Sequence, residues 1–217
     1  MFTVLLDNGH GSNTPGKCSP KKEDGSRFRE YAYARKVVRA LAPKLQKEGY
    51  NVILVTPEDM DIPLASRVTR INQQTRKYGS GNCLMVSVHC NAAGNGDKWM
   101  SGRGWSIWTT PGQNNSDKLA TCIYEAADEL MKKERDYLNT FKGQSVQKPI
   151  RTDFSDKDAD YEANFYIIKG ANCPAVLTEN FFQDNKEDVK FLESERGFNF
   201  VVNTHLQGIK KFIESKK

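Results

Sequence analysis

Two rhythms of apolar and polar positions alternate along this chain: short apolar runs bounded by turn residues, and longer stretches with one apolar face of helical period. Thr3 to Asp7 (TVLLD) is a short apolar run closed by Asn8-Gly9, and it predicts a buried strand. A polar loop rich in Gly, Pro, Ser and Lys follows, up to about Ser26. From about Arg29, the apolar positions Ala34, Val38, Leu41 and Leu45 fall in steps of four, three and four, which is one face of a helix. Pro43 marks a candidate kink in that helix, and Gly49 its stop. Asn51 to Thr56 (NVILVT) predicts a second strand, Leu64, Val68 and Ile71 a second helix running to about Tyr78, and Cys83 to Cys90 (CLMVSVHC) a third strand. The first 90 residues therefore read β-α-β-α-β, the signature of a parallel sheet with right-handed crossovers. Further on, Trp105 to Thr109 predicts a strand, and Leu119, Ile123, Ala126 and Leu130 a helix. Residues from about Tyr137 to Tyr161 are polar and aperiodic and predict a loop. Phe165 to Ile168 and Ala175 to Thr178 predict short strands, and Phe198, Val202, His205, Ile209 and Phe212 form the apolar face of a last helix. The fold class expected is α/β: a single domain, residues 1–217, with a mostly parallel twisted sheet of about six strands flanked by helices.

Composition narrows the class without naming a partner. At 38% hydrophobic and 27% charged residues the chain is able to bury one sizeable core. A net charge of +5, with no block of like charges, gives no reason to expect a nucleic-acid partner and is compatible with an anionic polymer. The five cysteines form no CxxC pair, which argues against a zinc finger or thioredoxin site and for buried free thiols. No apolar stretch reaches the roughly 18 residues of a membrane span, so membrane insertion is not expected.

Placed on this scheme, four polar outliers converge. His10 lies just past the first strand, His89 near the end of the third, and Glu179 caps the apolar run from Ala175 to Thr178. In a parallel sheet these ends share the carboxyl edge, where open α/β sheets place their sites. Glu30 opens the first long helix, which begins at the same edge. Two histidines and a glutamate are a ligand set for catalytic zinc, and a further carboxylate, Glu179, is available to move protons. The residues taken alone also admit a turn histidine at His10, a hydrogen-bonded core histidine at His89, a first-turn charge at Glu30 and an ion-paired Glu179.

A resemblance covers most of the chain. Asp7-Asn8-Gly9-His10-Gly11 is similar to the DxGHG opening of the N-acetylmuramoyl-L-alanine amidase family Amidase_3. Leu64 to Val68 with Ile71-Asn72 resembles its L-x-x-R-V and following I/A-N, and Ser87 to Ala92 (SVHCNA) its S-I-H-x-N-A. Pro174 to Glu179 with Phe182 and Asn185 resembles P-A-V-L-x-E-x-x-F-x-x-N. Any one match is weak, but these stand in order from residue 7 to residue 185. The resemblance implies one Zn2+ per chain on His10, Glu30 and His89, Glu179 as catalytic acid/base, and peptidoglycan as substrate. Asn91 stands in the motif as a substrate-binding candidate. Ser12 replaces the usual second glycine after GHG, the loop before Glu30 is poor in glycine, and Glu23 is an alternative ligand.

Such an enzyme acts in the periplasm or cell wall of bacteria, and no activator protein is identified by the sequence. Met1 to Leu6 lacks the basic n-region of a signal peptide, so a phage or prophage lysin or a trimmed chain is expected. A zinc carboxypeptidase or deacetylase acting on another amide, and a non-catalytic wall-binding module, are the rival readings. Gly11 to Cys18 (GSNTPGKC) nearly spells a phosphate-binding loop, but it ends in Cys18 where a hydroxyl is needed for magnesium, and no helix start follows. Cys90, adjacent to His89 on a strand, should face the opposite side and belong to the core, as should His205. Among the tryptophans, Trp99 is the first candidate to stack on a sugar, and at least one of Trp105 and Trp108 should be core.

Overall fold

The computed structural model describes residues 1–143 and 147–216. Strand β1 (Thr3–Asn8) is followed by helix α1 (Glu30–Lys47), β2 (Asn51–Leu54), α2 (Leu64–Tyr78) and β3 (Cys83–Asn91). β1 pairs in parallel with both β2 and β3, so the first 90 residues form the expected crossovers. β3 pairs in parallel with β6 (Ala175–Phe182). On its other side β6 pairs antiparallel with β4 (Ser106–Thr109), which carries the two-residue β5 (Tyr161–Glu162) in parallel. The sheet order is β2-β1-β3-β6-β4-β5, with the first-listed edge formed early in the chain and β6 inserted between β3 and β4.

Alternation along the strands divides the core in two. Val4, Leu6, Leu84, Val86 and Val88 face a layer made by α1, α3 (Asn115–Met131) and α7 (Glu195–Glu214). Leu5, Met85, Ala175 and Leu177 face a smaller layer in which α2 supplies Ile71 and α5 (Tyr166–Lys169) supplies Ile167 and Ile168. Both faces are thus covered, as a largely parallel sheet requires. α1 runs unbroken through Pro43, an interior proline that costs a helix about 3 kcal/mol, because Ala34, Val38, Leu41 and Leu45 are fully buried on its inner face. His205 is likewise a core residue: its Nε2 meets the Thr178 hydroxyl at 2.9 Å and its Nδ1 meets the Val201 carbonyl at 2.7 Å. Burial pulls its pKa down to about 4, so it stays neutral.

The pattern of the chain misleads in three places. Phe165 to Ile168, expected as a strand, is the helical turn α5: Lys169 and Gly170 N–H groups donate to the Phe165 and Tyr166 carbonyls. A four-residue apolar run has no period that separates a buried strand from a buried helical turn. The sixth strand is instead β5, which begins at Tyr161, the last residue of the stretch 137–161 expected as loop. That stretch also begins within a short helix, α4 (Arg135–Asn139), and its residues 144–146 lie outside those described. Finally, α6 (Lys186–Glu193) was not expected; Asn185 caps it by accepting from the Glu187 and Asp188 N–H groups. Among the described residues no helix is long and apolar enough to cross a membrane.

Candidate metal centre and active site

The chain leaves β1 at Asn8 and brings His10 over the carboxyl edge of the sheet in a left-handed conformation, φ +61°. That conformation costs a non-glycine residue about 1 kcal/mol or more and needs support. Two guanidinium groups provide it, Arg35 and Arg67 donating to the His10 carbonyl at 3.1 and 3.2 Å. Arg67 is buried and also donates to the carbonyls of Asn8 and Ile62, to Asp61 at 2.7 Å and to Asp7 at 2.9 Å. Asp7 in turn accepts the Ser87 hydroxyl at 2.7 Å, which ties the end of β1 to β3. Gly9 is required by the approach of His89: a Cβ there would lie 2.0 Å from His89 Cε1.

Glu30, the first residue of α1, sits beneath both histidines and is 1% exposed. Its Oε1 is 3.4 Å from His10 Nε2 and 3.1 Å from His89 Nδ1. The same oxygen accepts the Cys90 N–H at 3.0 Å, and Oε2 accepts the Gln183 side-chain amide at 3.0 Å. Burial opposes the Glu30 charge, but hydrogen bonds to His10 and His89 and their charges outweigh it and hold this carboxyl far below the usual range. For His89, burial again opposes charge, and the Glu30 hydrogen bond with the charges of Glu30, Glu179 and Asp7 outweighs it, raising its pKa.

These three side chains offer two nitrogens and an oxygen within 4.8 Å of one another. Bonds of about 2.0–2.1 Å in a tetrahedral site imply donor separations of about 3.3 Å, and the two contacts at Glu30 bracket that value. The donor chemistry and spacing therefore fit a small divalent ion. A cation held there would replace the imidazolium charges as the partner of Glu30.

Glu179 lies in register with His89 across the β3–β6 pair. Its Oε2 is closed off from solvent and has no hydrogen-bond partner among the described residues. Burial, with the Glu30 charge adding and the His89 charge opposing, pushes its pKa up to about 7. Just beyond it the β3–β6 register shifts, and Phe181 takes a left-handed φ of +64°. This bulge turns the strand so that Phe181 enters the core, the Phe182 N–H goes to Asp188 Oδ2 at 3.0 Å, and Gln183 reaches Glu30.

All four sequence-derived residues, His10, Glu30, His89 and Glu179, come together at one edge. Asn91 stands two residues past His89, half-buried, with its Oδ1 accepting the Ala92 N–H. Glu23 is exposed and outside the cluster. Cys90 faces the α1 layer, and burial together with the Glu30, Glu179 and Asp188 charges keeps its thiol well above the usual pKa. No helix starts after Gly11 to Cys18 before α1. Trp105 is core, its Nε1 donating to Asn180 at 3.0 Å, and Trp108 stacks on Tyr161. Trp99 lines a cleft of about 870 Å³ with Lys21, Lys186 and Lys190. Sequence reasoning missed Gln183 and Asn180, whose amide donates to the His89 carbonyl at 2.9 Å. Their one sequence signal was polarity inside the apolar run 175–182 and its extension.

A family model described as N-acetylmuramoyl-L-alanine amidase matches residues 4–211. The chain is 24% identical over 234 residues to N-acetylmuramoyl-L-alanine amidase AmiC of Neisseria meningitidis serogroup B, covering 98% of this chain and 53% of that protein. It is 26% identical over 219 residues to an endolysin of Bacillus phage SPP1, covering 99% of this chain and 67% of that protein. The chain thus spans about half of the first relative and two thirds of the second. A crystal structure of an N-acetylmuramoyl-L-alanine amidase from Clostridium difficile 630 superposes with a TM-score of 0.76 at 22% identity, over 100% of this chain and 98% of that one, so the fold is shared.

Proposed function

The chain belongs to the N-acetylmuramoyl-L-alanine amidase family, and from that membership we propose that residues 1–217 form a zinc-dependent catalytic domain that hydrolyses the amide between N-acetylmuramic acid and L-alanine in peptidoglycan. The observation that carries this reading is the convergence of His10, Glu30 and His89 beside a Glu179 carboxyl with a raised pKa and an unpartnered oxygen. His10, Glu30 and His89 would hold a zinc ion, and that ion would supply the Lewis acidity that acidifies water and polarises a carbonyl.

The chain's own groups do the rest. Gln183 and the Cys90 N–H fix both oxygens of Glu30, so that it remains an oriented carboxylate. Arg35 and Arg67 hold the backbone that presents His10. Glu179 takes a proton from the attacking water, whose oxygen adds to the lactyl carbonyl carbon. The carbon–nitrogen bond then breaks, and Glu179 returns the proton to the departing alanine nitrogen, since an amine leaves poorly unless protonated. Asn91, two residues past His89, orients the peptide stem. The site of action is the bacterial periplasm or cell wall.

Zinc content of the purified protein, paired with release of N-terminal alanine from peptidoglycan with and without chelator, tests the reading. About one zinc per chain and chelator-sensitive release are expected. Zinc without release would transfer the reading to another amide, and neither zinc nor release would overturn it.

A further inference from the structure

A second group of carboxylates lies far from the catalytic edge. β4 runs antiparallel to β6, so it leaves Ser106, opposite Glu179, and ends at Thr109 toward the other edge of the sheet. Three strand residues further on is about 10 Å. There Asp117 of α3 meets Asp158 and Asp160, from the loop that enters β5, with one ligand oxygen from each within 4.8 Å of the others.

The three carboxylates share one arrangement. Each has one oxygen tied to a donor. Asp117 Oδ2 accepts the Asn114 N–H in the cap of α3, Asp158 Oδ2 accepts the Gln113 amide at 2.7 Å, and Asp160 Oδ2 accepts the Thr109 hydroxyl. Each has its other oxygen, Oδ1, closed off from solvent with no hydrogen-bond partner among the described residues. Asp117 and Asp160 are 3% and 2% exposed, so the bare oxygens are inside the protein. A buried carboxylate oxygen without a donor is unfavourable, and three turned toward one another also repel. Among the described residues no basic side chain is paired with any of the three. Such a cluster persists either by retaining a proton or by holding a cation.

We propose that Asp117, Asp158 and Asp160 form a calcium site that fastens the loop before β5 to the start of α3 and the end of β4. The donors are all oxygen, which excludes the preference of zinc for nitrogen and sulfur. Magnesium keeps most of its waters and takes one or two carboxylates, whereas calcium accepts several carboxylates directly in an irregular shell. The loop contributes Asp158 and Asp160 at alternate positions, and an oxygen of each reaches the centre shared with Asp117. The site is a structural one and is independent of the amidase reading.

The test uses the full chain, stripped of metal and reloaded with one equivalent of zinc. Calcium at millimolar concentration should raise the melting temperature by about 5 °C, and magnesium by less. Terbium should give sensitised emission, because Trp108 stacks on Tyr161 at 4.8 Å and these residues adjoin Thr109 and Asp160. Calcium should displace that emission. Asp160→Asn keeps the shape of the carboxyl and mimics its protonated form, so it should fold while losing both responses; Asp158→Asn should do the same. A parent protein whose melting temperature and terbium emission ignore calcium overturns the proposal, whatever the variants do. So does a response to magnesium as large as that to calcium, or an undiminished response in the Asp158→Asn, Asp160→Asn double variant.

Discussion

Replacing Gly9 by alanine places a carbon atom inside the His89 imidazole. The new Cβ would lie 2.0 Å from Cε1, 2.4 Å from Nε2 and 2.5 Å from Nδ1. To move from 2.0 Å to an ordinary contact of 3.4 Å the ring must withdraw by about 1.4 Å. Gly9 is not among the residues with positive φ, so alanine fits the backbone and the whole cost falls on the ring. His89 Nδ1 now stands 3.1 Å from Glu30 Oε1, and a withdrawal of that size takes it out of any shared coordination sphere, which tolerates about 0.2 Å. Zinc affinity should therefore fall by more than the roughly 10–100-fold that loss of an outer-shell partner causes. Turnover should fall by about 100-fold or more, since displacements near 1 Å have that effect on catalysis. Overpacking should cost the fold about 1–3 kcal/mol, which leaves the variant folded at room temperature. Competition against a chromophoric chelator measures the affinity, release of alanine N-termini the turnover, and thermal melting the fold. A folded Gly9→Ala protein with parental zinc affinity and turnover would refute the placement of His89 in the metal centre.

Four further outcomes follow from the same geometry. Glu179→Gln should retain zinc and lose about 10²–10⁴-fold in turnover; a fully active variant would remove Glu179 from the proton transfers. In the zinc-free protein Glu179 keeps its proton to about pH 7 against 4.5 for the reference glutamate, so the folded chain binds more protons between those values and stability falls as pH rises through them. Urea melts should show this as a decline of up to about 3 kcal/mol before solvent screening, absent in Glu179→Gln, and equal slopes in the two proteins would contradict it. Arg67→Met should cost about 3–5 kcal/mol by stranding the buried Asp7 charge, and an unchanged urea midpoint would contradict that. Cys90→Ala should keep parental turnover and lose about 1 kcal/mol of packing; its inactivity would revive a thiol nucleophile.

The candidate site was legible in the sequence because it depends on strand ends. His10, His89 and Glu179 interrupt or close apolar runs, and parallel topology carries run ends to one place. The supporting residues depend on contacts that periodicity does not encode. Arg67 reads as a polar position on α2, yet it is buried because five acceptors from β1, the His10 turn and the 61–62 loop surround it. The Asp117 cluster joins a helix cap to a loop more than forty residues away, which no local pattern reveals. α6 escaped notice for a different reason: eight residues with Val189, Phe191 and Leu192 apolar are too few to establish a period.

β6 shows where strand logic stops and the site begins. From Ala175 to Glu179 the strand alternates regularly, odd positions toward α2 and α5 and even positions toward α7, and that alternation delivers Glu179 beside His89. Continued alternation would have kept Phe181 on the Glu179 face. The left-handed residue at Phe181 instead sends this ring into the opposite core against Tyr137 and Phe191. The N–H of Phe182 then goes to Asp188, which also receives the Gly104 N–H and the Tyr137 hydroxyl. Because the chain turns here, Gln183 arrives over Glu30 and fixes its second oxygen. An irregular backbone of this kind costs of order 1–3 kcal/mol and lasts only where its surroundings enforce it. Here the enforcing group, Asp188, belongs to α6, so the helix that the apolar pattern did not reveal is the one that helps set the orientation of Glu30.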